Sequence, residues 1–146
     1  MRFMTTFALC LALLLAPTAA TTVLAADAAT PAEIAAQTRA SWAKSRDAYL
    51  ALVKPYQGTP ADAALVTQYT AALDKTGSTL EQYLALKLAS PATPADKLTP
   101  VVDQLYKDLL VLRAIRSKAT GGLATALGTA LTQHNLVTQT ALANMR

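Results

Sequence analysis

The chain has 146 residues, 53% hydrophobic and only 15% charged, with a formal net charge of +4. That length suits one domain and is too short for two. The positive excess is small and scattered. Only Arg113, Arg116 and Lys118 cluster, and cations in the last turn of a helix complement its dipole, so the cluster reads first as a helix end.

Met1–Ala25 reads as a secretory signal peptide, with Arg2 as the positive start and an apolar core at Phe3–Ala16. A membrane anchor is the other reading, but a core of roughly 14 residues falls short of the ~20 that span a bilayer as a helix. Pro17 ends the core, and the small residues around Val23-Leu24-Ala25 place the expected cut after Ala25, with Ala20 and Ala26 as near alternatives. Leu9 precedes Cys10 where a lipidated cysteine needs a small residue, which argues against a lipid anchor. Cleavage removes both Phe and the only Cys, leaving residues 26–146 as one domain with no disulfide and no thiol. Its expected location is the periplasm or outside the cell, without a membrane span and without nucleic acid as a partner.

The remaining chain repeats one device: Thr30-Pro31-Ala32-Glu33, Thr59-Pro60-Ala61-Asp62 and Thr93-Pro94-Ala95-Asp96. Thr suits a helix cap, Pro the first helical position, and the acid faces the positive helix end. Three helix starts are therefore predicted. The first helix, near 31–54, carries Ile34, Thr38, Trp42, Ser45, Tyr49 and Leu52 at helical spacing. In the second, near 60–89, the stripe Leu65, Tyr69, Ala72, Thr76, Leu80, Tyr83, Lys87 crosses Gly77 without losing phase. Gly77 weakens that helix by ~1 kcal/mol but does not end it.

The third start is expected to be staggered, a short turn at 94–98 leading into a main helix from Pro100 to 118, because Pro within a helix costs ~3 kcal/mol. This segment is the most apolar, with Leu105, Tyr106, Leu109, Leu110, Val111, Leu112 and Ile115 covering more than one face. It is either the most enclosed helix or carries a contact surface, since Val111 falls on the side of Gln104, Lys107 and Asp108. Gly121-Gly122 stops it, and a fourth helix follows near 122–145 through Leu123, Leu127, Leu131, His134, Thr138, Ala141 and Met145. No segment alternates with period two. Short loops at 55–59, 90–93 and 119–122 force successive helices to reverse, so the expected fold is an all-α, antiparallel up-down four-helix bundle.

Metal and cofactor chemistry finds few ligands in this chain. Two Glu, Glu33 and Glu81, and one His do not supply a ferritin-like di-metal site, and there is no Cys-x-x-Cys-His for covalent haem. His134 and Met145 lie eleven residues apart on one helix, about 16 Å, and do not clamp one iron. His134 reads instead as a packed structural histidine, so neither cofactor nor metal is expected. With Trp42 it is predicted to form a central layer flanked by Tyr69 or Thr76 and by Leu109, because Trp42 and His134 each lie about eleven residues into their own helices. No Gly-x-Ser-x-Gly turn or phosphate-cradling glycine loop is present.

One constellation carries chemistry. Arg39, Trp42, Arg46 and Tyr49 stand at steps of three, four and three on one side of the first helix. As a binding site, its cations beside aromatic faces suit an anionic or planar ligand, or an Arg-Trp anchor for a partner. In the plainer reading, Trp42 and Tyr49 point inward and the Arg stems cover the edge of the core. The expected function is an exported, non-enzymatic binding or accessory protein that contacts another protein or a small ligand. A free-standing sensor or carrier of small molecules is the second expectation, and a helical enzyme acting on an anionic substrate the third.

Overall fold

The computed structural model describes residues 29–145, so the leader and its cleavage site lie outside the described residues. Four helices follow one another, α1 Pro31–Val53, α2 Pro60–Ala89, α3 Ala95–Arg116 and α4 Gly121–Asn144, with a 3-10 turn at Lys54–Gly58 and, among the described residues, no strand. The architecture is an all-α four-helix bundle. At α1 the Thr-Pro signal works in full: Glu33 N–H donates to Thr30 Oγ1, and Thr30 N–H donates to Glu33 Oε2 at 2.7 Å.

The other two signals act differently. Thr59 sits at the cap of α2, but its hydroxyl donates to the Asp62 carboxylate at 2.8 Å rather than accepting from an amide. Thr93 is not a cap at all; α3 begins one residue later, with Pro94 at the cap and the Thr93 hydroxyl bonded to the Leu86 and Ser90 carbonyls. The expected break before Pro100 is also absent, since α3 runs unbroken from Ala95. Pro100 forfeits the amide bond to Asp96 and crowds that carbonyl, but only one turn of helix precedes it and has to adjust, and the Lys97 and Leu98 amides still reach the Pro94 carbonyl.

Two ion pairs fix the antiparallel register of α1 and α2. Moving up α1 from Arg39 to Arg46, the partner moves back down α2 by the same seven residues, from Glu81 to Asp74. The closest helix pairs are α1 with α4 and α2 with α3, while α1 with α2 and α3 with α4 meet more loosely. Small residues along the first of these seams, Ala35, Ser45, Ala126 and Ala130, let its backbones approach.

The core has two apolar halves. One is built on Tyr49, Val53, Tyr69, Leu73, Leu112, Leu123 and Leu127. The other holds Ala35, Leu80, Leu84, Leu105, Ala141 and Met145. Through the middle turns of the four helices runs a band of buried polar residues, a polar waist of Thr38, Ser45, Thr76, Thr79, Asp108, His134 and Thr138. Its Thr hydroxyls satisfy themselves on the preceding turn, as Thr38 does on Ile34 and Thr138 on His134. Asp108 accepts from Thr79 Oγ1 and Gln104 Nε2, each at 2.7 Å, and pairs with Lys75 at 3.3 Å.

Candidate functional site

The four residues of the first-helix constellation are drawn into the bundle's own contacts. Arg39 clasps Glu81 through Nε and Nη2 at 2.9–3.1 Å, and that bond raises its already high pKa. Arg46 donates to Asp74. Tyr49 is fully buried, its hydroxyl 2.7 Å from Thr70 Oγ1 and donating to the Val66 carbonyl, and burial raises its pKa. Trp42 is half-buried and packs against both halves of the core. It lies so close to α2 that a Cβ at Gly77 would stand 2.8 Å from its indole nitrogen. That approach leaves no room for a side chain on α2 at this point, where the helix continues unbroken through the glycine.

Trp42 and His134 meet in the waist, with ring centroids 5.2 Å apart, and Tyr49 and Tyr69 complete an aromatic wall at 6.3 and 6.5 Å from the imidazole. His134 and Tyr69 are fully buried, and Leu109 is buried one level below Leu105. No hydrogen bond of normal geometry reaches either imidazole nitrogen or the Tyr69 hydroxyl among the described residues, although the Ala130 carbonyl one turn back opposes the effect of burial on His134 in small part. Burial therefore favours the neutral imidazole and pushes the His134 pKa down to about 4. The same desolvation raises the Tyr69 pKa. With no hydroxyl or carboxylate on either nitrogen, His134 has no nucleophile to activate in this arrangement. Among the described residues no group of three or more His, Cys, Asp or Glu converges to hold a metal ion, and no helix is long and apolar enough to cross a membrane.

The outward face of α3 is a different surface. Tyr106, Leu110 and Val111 expose 45, 60 and 48% of their area. Because α3 and α4 pack loosely, a cleft of about 430 Å³ opens beside them, walled by Tyr106, Leu109, Leu110 and Leu131 and edged by Arg113, Thr132 and Asn135. Across Gly128 of α4, where a side chain is missing, lies the Arg116 guanidinium. Asp103 and Arg113 have no ion-pair partner among the described residues, unlike Arg39 and Arg46. The arrangement is able to take an apolar group into the cleft and a complementary charge at its rim.

Sequence reasoning singled out Val111 on this helix but read Arg113 as a helix end and overlooked Asp103. The signal was available: Asp103, Tyr106, Leu110 and Arg113 recur at steps of three, four and three, the spacing of the first-helix set. No protein-family model matches the chain, and neither the curated proteins nor the solved structures yield a significant match.

Proposed function

We propose that the protein is an exported, non-enzymatic binding or accessory protein whose contact surface is the outward face of α3 with the adjoining α3–α4 cleft. One observation carries the reading: Tyr106 and Leu110, one turn apart on α3, stand exposed on the wall of the cleft beside Arg113, which has no ion-pair partner among the described residues. Large apolar side chains clustered on a surface lose more by staying hydrated than scattered ones, and such patches mark places where something docks. The first-helix constellation is the weaker candidate, because its two guanidiniums already hold Glu81 and Asp74. Export rests on the Met1–Ala25 leader and is tested by N-terminal sequencing of envelope protein, with a start at or near Ala26 expected.

The contact surface is tested by placing a photo-crosslinking amino acid at Leu110 and, separately, at Arg39 in cells. Adducts from position 110 and none from position 39 are expected; the reverse pattern would return the site to the first helix. The cleft volume and Arg113 favour a second reading, a carrier of small apolar anions. Stoichiometric displacement of a fluorescent fatty acid probe that depends on Arg113 would support the carrier over the partner-binder.

A further inference from the structure

We propose that the occupant of the α3 face is a second copy of this chain, bound antiparallel across a two-fold axis at the level of residue 108; this rests on the reading of α3 as the contact surface. Thr99, Asp103, Tyr106, Leu110, Arg113 and Ser117 are all exposed and alternate at steps of four and three along α3. That is the spacing of a two-helix seam, in which each residue of one type meets a residue of the other type when the second helix runs backwards.

Reversed on itself, the stripe is complementary at every layer. Tyr106 faces the partner's Leu110, Asp103 faces the partner's Arg113, and Thr99 faces the partner's Ser117. The two-fold axis repeats each pair, as an isologous interface requires. In the parallel arrangement Asp103 would face its own copy and Arg113 likewise, so the charge order selects the antiparallel one. A partner of unrelated sequence needs only an apolar face to dock on Tyr106 and Leu110; the mirrored order of acid, aromatic, aliphatic and base is what a second copy accounts for. The seam also sets the partner's Leu110 beside the cleft walled by Tyr106, Leu109 and Leu131. With two apolar layers and part of a cleft the interface is at the small end of specific ones, so the dimer is reversible, with a Kd on the order of 10–100 µM.

Sedimentation velocity of the protein purified from the cell envelope, from low micromolar to several hundred micromolar, reads the association directly. The expected result is a concentration-dependent dimer that Leu110→Glu abolishes. D103R and R113D should each weaken it by about tenfold, and the double variant should restore most of the loss, since each reversed charge again meets its opposite. All three positions are exposed, and a circular dichroism melt of each variant checks that the bundle is intact. A monomer at every concentration, a dimer that Leu110→Glu leaves unchanged, or a double variant no better than the single ones would overturn the proposal. A monomer that still yields Leu110 adducts to another protein would overturn self-association and leave α3 as the contact surface; a monomer without such adducts would overturn both.

Discussion

Acid should loosen this bundle through His134 before it reaches the carboxylates. The imidazole is fully buried against Trp42, Tyr49 and Tyr69, no carboxylate acts on it, and the Ala130 carbonyl offsets its burial only in part. Its pKa therefore drops from 6.5 to about 4 in the folded chain. A folded-state value below the unfolded one means that the unfolded chain binds the proton first, so stability is intact above about pH 6.5 and falls as the pH drops toward 4. From these two values, moving from pH 8 to pH 5 costs about 2 kcal/mol, and the loss reaches about 3 kcal/mol at pH 4 and levels off just above that. Urea denaturation at pH 8, 6, 5 and 4, followed by Trp42 emission, measures this slope. Replacing His134 by Leu removes the titrating group while keeping the site apolar. The variant's stability should be nearly flat between pH 8 and 5, whatever its absolute value. An unchanged slope in the variant would refute the assignment of acid sensitivity to this residue.

Three further outcomes follow from the packing. Gly77→Ala should destabilise by about 1–3 kcal/mol despite alanine's helix propensity, because the new Cβ meets the Trp42 indole; thermal melts and a shift in Trp42 emission check it. Thr30→Ala should cost about 0.5–2 kcal/mol by breaking the capping box, and Thr59→Ala clearly less, since the Thr59 hydroxyl serves only Asp62; equal losses in denaturant melts would contradict the distinction. Asp108→Ala should cost about 1–3 kcal/mol in all, since Gln104 Nε2 loses its acceptor while Thr79 Oγ1 falls back on the Lys75 carbonyl, whereas Asp108→Asn should recover part of the loss; paired urea melts compare them.

Helix number, type and order were legible because period and punctuation agree: apolar residues recur at helical steps, and Pro and Gly stand at the ends. The meeting of Trp42 and His134 was legible as well, because equal distances from the starts of two antiparallel neighbours put both at mid-height. Details that depend on side-chain competition were not. Thr59 and Thr93 have the residue type of a cap, but each hydroxyl finds a nearer partner, Asp62 in one case and two carbonyls in the other. Pro100 looks like a break by its average cost, yet only one turn of helix precedes it and has to adjust. The surroundings of Arg39 and Arg46 depend on Glu81 and Asp74, which lie 42 and 28 residues away in sequence and become neighbours only through the register of α1 on α2. The loose packing of α3 on α4 leaves no trace in either helix's own pattern, and the cleft with Tyr106 and Arg113 at its edge arises from it.

The claim that the outward face of α3 is where this protein makes contact is tested most directly by hydroxyl-radical footprinting in the intact cell envelope against dilute purified protein. Tyr106 and Leu110, both open in the isolated bundle, should be protected several-fold in the envelope, while Leu136 on α4, the most exposed large apolar side chain among the described residues, should react equally in both samples. Equal reactivity of Tyr106 and Leu110 in the two samples would contradict the claim.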